Sequence, residues 1–102
     1  MKLWLDDVRN PIIHGYTGFI WVKTAEEAIE YLKKGDVKFA SLDHDLGEQA
    51  TLGNWVNDGY DVILWMEENN IWPIDGVRVH SLNPVGRKRM EVVVKAHYGR
   101  NF

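Results

Sequence analysis

The sequence predicts an α/β sandwich built around a mainly parallel sheet. Three observations predict it. Short apolar runs alternate with segments of helical period along the chain. The runs KLWL, FIWV and VKFASL are close to continuously apolar, as strands covered on both faces are. Three of the four predicted strands stop abruptly in polar groups, the pattern of a sheet with a ligand crevice at its carboxyl ends. At 102 residues the chain makes one domain with one core.

Lys2 to Leu5 reads as the first strand and ends in Asp6-Asp7. Val8 to Gly18 carries Asn10-Pro11, His14-Gly15 and Gly18, so it is a loop. Phe19 to Val22 is the second strand. Thr24 opens a helix as its N-cap, with Glu27 three residues on completing a capping box. Ala25, Ala28, Ile29 and Leu32 follow the helical period, and Gly35 is the stop. Val37 to Leu42 is the third strand and runs into Asp43. Gly47 to Asn57 is polar and reads as a loop. Asp58 caps a second helix with Val62, Ile63, Trp65 and Met66 on its inner stripe, ended by Asn69-Asn70. Gly76 to Leu82 holds the fourth strand, VRVHSL. Asn83 at the cap and Pro84 at the first position start the last helix. Its inner stripe is Met90, Val93 and Val94, and it ends near Gly99. Strands 1 and 2 are joined by a loop alone, which leaves their relative direction open.

Composition narrows the function. The formal net charge is −3, against the positive field that an extended nucleic-acid surface needs. There is no cysteine, so disulfides, thiolate zinc sites and thiol nucleophiles are excluded. The expected location is the reducing cytoplasm. No apolar run approaches a membrane span, and no membrane partner is expected. Five tryptophans in so short a chain imply a well-filled core or an aromatic-lined cleft.

The polar strand ends carry the chemistry. If strands 1, 3 and 4 are neighbours, Asp6, Asp7, Asp43 and Asp45 share one crevice with His44, His80 and Ser81. Four carboxylates at close quarters repel one another and call for raised pKa values or a cation. An oxygen-rich set suits Mg²⁺ or Mn²⁺, held by Asp6, Asp7, Asp43 and Asp45. The stretch SLNPVGRKR, from Ser81 to Arg89, looks like an anion site at a helix start, with Gly86 leaving room for close approach. Ser81, Asn83 and Arg87 are candidate phosphate binders, and Arg9, just beyond the first acidic pair, can assist. His44 and His80 are candidates for general acid and base on a phosphoester. His14 reads as a loop residue and His97 as helix surface or core edge. The expected ligand is a small phosphorylated compound or nucleotide.

These motifs meet a known pattern. Asp6-Asp7 after strand 1, Asp43 after strand 3 and Ser81 after strand 4 resemble the acidic pair, phospho-accepting aspartate and hydroxyl of response-regulator receiver domains. The stretch WVKTAEEAIEYLKKG is also similar to the second strand and helix of receivers. Receivers have a helix between strands 1 and 2, and a fifth strand ending in lysine, where this chain has a loop and no obvious counterpart. The motifs LDDVRNP, SLDHDLG and HSLNPVGRKRM, in that order, resemble the cyclic-phosphate processing receiver domain. That resemblance implies a small three-layer receiver-like (flavodoxin-like) sandwich with a shortened four-stranded sheet, order 2-1-3-4. It also implies action on cyclic phosphates of RNA ends or nucleotides, and the response-regulator match offers Asp43 as a nucleophile in place of a metal ligand. Capture of a nucleotide without cleavage, and a phospho-receiver that has lost its lysine, are the alternatives. With no fifth strand, strand 4 is an expected edge, and a homodimer through that edge or the last helix is open.

Overall fold

The computed structural model describes residues 1–44 and 58–99. The predicted 47–57 loop and Asp45 lie outside the described residues. Four strands, β1 (Lys2–Leu5), β2 (Phe19–Val22), β3 (Phe39–Leu42) and β4 (Val77–Val79), form a single sheet in the order β2-β1-β3-β4. Every neighbouring pair is parallel. The helices are α1 (Ala25–Lys33), α2 (Gly59–Asn69) and α3 (Pro84–Tyr98). The α/β class and the 2-1-3-4 order are those expected.

Each helix starts where a side chain can satisfy its first amides. Thr24 Oγ1 accepts from the Glu27 amide at 3.0 Å, and Glu27 Oε1 accepts from the Lys23 amide at 3.4 Å. Asp58 Oδ1 accepts from the Asp61 amide at 3.0 Å, and Asp61 Oδ2 accepts in return from the Asp58 amide. Asn83 Oδ1 accepts from Val85 and Gly86, both at 3.1 Å. The chain leaves α1 through Gly35 at φ 82° and α2 through Asn70 at φ 54°, the left-handed conformation that glycine and asparagine tolerate best.

Strand alternation divides the sheet into two faces. Leu3, Leu5, Val22, Ala40, Leu42, Val77 and Val79 lie in one buried cluster with residues of all three helices: Ala25, Ala28, Ile29 and Leu32 of α1, Val62, Ile63 and Met66 of α2, Met90 and Val94 of α3. Each of the large aliphatic side chains buried there contributes about 1.5–3 kcal/mol. Trp65 and Val93, read from the sequence as inner positions, pack at the margin of this cluster. All three helices therefore cover one face. The third layer is the loop of residues 6–18, which crosses the other face.

A single crossover hand accounts for this division. The steps β2→β3 and β3→β4 move the same way across the sheet, so α1 and α2 fall on the same side. The step β1→β2 moves the opposite way, so its connection falls on the opposite side. The loop turns at Pro11–Gly15, where His14 and Tyr16 donate to the Pro11 carbonyl, and it returns the chain to start β2 parallel to β1. It is stapled to the sheet by Trp4, whose indole donates to the Arg9 carbonyl at 2.9 Å and meets the Tyr16 ring at 5.2 Å.

Two strands are shorter than expected. The predicted third strand begins at Val37, but β3 starts at Phe39 because Lys38 pairs outside the ladder, with Met1 on one side and Asp75 on the other. β4 stops at Val79: His80 still donates to the Leu42 carbonyl, and the chain then leaves for the α3 cap.

Two glycines fix the corner after β3. A Cβ on Gly59 would strike the Asp43 carbonyl and come within 2.9 Å of the Met90 methyl. A Cβ on Gly86 would lie 2.5–2.7 Å from the His44 ring. The first turns of α2 and α3 thus press directly on Asp43 and His44. Gly59→Ala is expected to destabilise the chain by about 3 kcal/mol, because the obstacle is backbone and cannot swing aside. Urea unfolding checks this; a helix gain from alanine, with no loss, would contradict the close approach.

Candidate functional site

The three polar strand ends converge. Asp6, Asp7 and Asp43 each place a carboxylate oxygen so that all lie within 4.8 Å of one another. Parallel order explains it: β1 and β3 are adjacent and in register, Leu5 beside Leu42, so the residues that follow both strands emerge together. Ser81 follows β4 beside them, and its hydroxyl lies close enough to Asp43 to lower that carboxyl's pKa. Asp6 is 1% exposed, Asp43 5% and Ser81 4%, while Asp7 is half-buried.

A carboxylate as buried as Asp6 needs donors. Its Oδ1 accepts from the Val8 amide at 2.9 Å and the Arg9 amide at 2.8 Å. Its Oδ2 faces His80 Nε2 at 3.1 Å and the Arg9 guanidinium at 3.6 Å. Arg9 also donates to the His80 carbonyl at 3.2 Å, so it spans from β1 to β4.

Asp43 is held differently. Its Oδ1 accepts from the His44 amide at 2.8 Å. Burial raises its pKa first and the Asp6 charge raises it further; Arg9, the His44 amide and the Ser81 hydroxyl only partly offset this. The acidic set is short of positive charge among the described residues. Hard oxygen donors in that condition fit a divalent cation such as Mg²⁺ or Mn²⁺.

The two histidines have separate surroundings. His80 lies flat on Trp4, centroids 4.0 Å apart and planes 10° from parallel. Its Nδ1 meets Ser41 Oγ at 2.7 Å and its Nε2 meets Asp6. His44 sits between the first turns of α2 and α3, against Gly86, with Nε2 3.8 Å from Asp58 Oδ2. Its side chain is 13% exposed. Burial raises the pKa of Asp58.

The proposed phosphate binders are divided too. Ser81 and Arg87 line one open groove of about 510 Å³ along α3, together with Leu82, Lys88 and Lys95. Arg87 is exposed and pairs with Glu91 at 3.5 Å, one helical turn on. The Asn83 side-chain oxygen is engaged by the amides of its own helix. His14 lies in the exposed loop, and His97 stacks on Trp72 at the far end of α3, 4.1 Å between centroids.

Sequence reasoning missed Ser41 and Trp4 as neighbours of the site. One signal was present: Ser41 is the lone polar residue in FASL, and alternation sets it on the same face as Trp4, in register beside it.

The electrostatics predict a pH dependence. Burial pushes the His80 pKa down from 6.5 to about 4, outweighing the bond to Asp6, with Arg9 and Arg78 adding to the effect. Between these values the unfolded chain takes up a proton that the folded chain refuses. Stability from this group is thus complete above the unfolded value and is lost as pH falls toward the folded one. Asp43 and Asp58, with raised values, act with the opposite sign in the carboxylate range, since their folded forms keep protons that the unfolded chain has shed. A comparison with His80→Phe isolates the histidine. Between about pH 7.5 and 5 the parent chain should lose about 2 kcal/mol more than the variant. Equal losses by denaturant titration would place a protonated ring in the fold.

A family model, described as the cyclic-phosphate processing Receiver domain, matches residues 1–96. No curated protein and no solved structure matches the chain. The match spans all four strands, Asp6, Asp7, Asp43 and Ser81, and all but the end of α3. The chain belongs to the cyclic-phosphate processing receiver domain family.

Proposed function

We propose that the chain is a metal-dependent phosphoesterase acting on a cyclic phosphate, either of an RNA end or of a cyclic nucleotide. The observation that carries this reading is the meeting of Asp6, Asp7 and Asp43 within 4.8 Å beside Ser81, in a member of a family named for cyclic-phosphate processing.

Asp6, Asp7 and Asp43 would hold Mg²⁺ or Mn²⁺, with Asp45 a further candidate. A bound ion of this kind supplies charge stabilisation to a phosphoryl oxygen. Ser81 and Arg87, which share a groove, bind the phosphate; the Arg87 fork suits its oxygens. Arg9 adds positive charge from the side of the first acidic pair. In this reading His44 moves the proton, since both nitrogens of His80 are engaged by the protein. Asp58, 3.8 Å from His44, would orient that ring. Asp43, if unprotonated and not committed to an ion, is the alternative nucleophile. No helix among the described residues is long and apolar enough to cross a membrane, and a cysteine-free chain suits a reducing cytoplasm.

The test is a panel of 2′,3′-cyclic and 3′,5′-cyclic nucleotides with and without Mg²⁺ or Mn²⁺. Turnover should require the ion and fall by about a hundredfold or more in Asp43→Asn. Recovery of intact ligand after heat denaturation would replace cleavage by capture. Labelling of Asp43 by acetyl phosphate would restore a phospho-receiver. A melting temperature that no divalent ion shifts would remove the metal from the site.

A further inference from the structure

We propose that Ser41 and His80 form a positioning relay that locks the Asp6 carboxylate in place beside Asp7 and Asp43. The inference rests on the reading of these three acids as a divalent-cation site. It concerns two residues on the sheet face away from the helices, one in the middle of β3 and one just past β4.

The chain of contacts runs Ser41 Oγ to His80 Nδ1 at 2.7 Å, then His80 Nε2 to Asp6 Oδ2 at 3.1 Å. Its proton positions follow from the partners. An ionised Asp6 offers only acceptors, so the ring nitrogen facing it carries the hydrogen. A neutral ring then has a bare Nδ1, which accepts, and the Ser41 hydroxyl is the donor that meets it. Ser41 can also accept, but a hydrogen on Nδ1 would turn the Nε2 lone pair toward the carboxylate. The neutral ring with hydrogen on Nε2 satisfies every member of the chain.

The surroundings hold the relay rigid. Trp4 stacks on the ring and fixes its plane. Both nitrogens of His80 are taken up by Ser41 and Asp6, and the Ser41 hydroxyl by His80, so neither offers a spare atom to a substrate. These residues therefore act through Asp6. The Val8 and Arg9 amides grip Oδ1, and His80 grips Oδ2. Held at both oxygens, the carboxylate cannot rotate away from its acidic neighbours. A ligand-bearing carboxylate oriented in this way gains affinity because the ion does not have to order it.

Two measurements test the relay. Long-range ¹H–¹⁵N correlation of the metal-free chain at neutral pH reads the His80 tautomer directly. The expected result is hydrogen on Nε2, kept in Ser41→Ala because Asp6 still faces that nitrogen; a predominant Nδ1–H form or an imidazolium overturns the proposal. Mn²⁺ titration followed by electron paramagnetic resonance reads the consequence. His80→Phe keeps a flat ring on Trp4 but has no N–H, and it should bind Mn²⁺ about tenfold more weakly at a temperature where both chains are fully folded. His80→Gln, which returns an N–H, should recover most of the affinity. Equal Mn²⁺ binding by the parent and His80→Phe overturns the relay and leaves the metal reading intact. A parent chain that takes up no Mn²⁺ overturns both.

Discussion

A carboxylate 1% exposed to solvent obliges its surroundings to supply donors, and much of this fold is the answer to that demand at Asp6. Its side chain draws the Val8 and Arg9 amides into a turn after β1, and it draws His80 and the Arg9 guanidinium to its other oxygen. Its main chain is tied as firmly: the amide donates to Val22 of β2, and the carbonyl accepts from the Trp21 indole at 2.7 Å. One residue thereby joins β1, β2, the end of β4 and the loop that forms the third layer. The acid is costly to bury, yet its removal would strand several buried donors at once.

Topology then does the gathering. Parallel order sends the carboxyl ends of β1, β3 and β4 to one edge of the sheet, and the polar residues placed after them have no choice but to meet. The starts of α2 and α3 close over the same edge through Gly59 and Gly86, where side chains would not fit. Burial and mutual charge follow from this crowding. The raised pKa of Asp43 belongs to the arrangement as a whole, since it comes from burial and from Asp6 together.

Much of this was legible in the chain because the signals were local. β1 and β2 end where acid or a helix cap interrupts an apolar run. The caps Thr24, Asp58 and Asn83 are written in the few residues around each helix start. The acidic trio could be placed because each member lies within two residues of a strand end. The partners of His80 could not, because Ser41 is 39 residues away and reaches it only through strand register. The setting of His44 was hidden for a related reason: Gly86 reads as room for a ligand until the imidazole is seen filling that room. Asn83 was identified correctly as a cap, but the use of its oxygen by the Val85 and Gly86 amides depends on cap geometry that residue type alone does not settle. The direction of β2 rested on how the 6–18 loop turns, and a glycine pattern marks a turn without giving its course.

The position of β1 has a consequence for how the chain assembles. It comes first in the sequence but lies inside the sheet, between β2 and β3. β2 and β3 each pair with β1 and not with one another, so neither joins the sheet without it. The ladder between β1 and β3 closes the loop that carries β2 and α1, and it unites the two halves of the sheet. Asp6 and Asp7 ride on that strand. Completion of the sheet and delivery of two of the three acids are therefore the same folding event, and a partly folded chain in which β1 is undocked has neither.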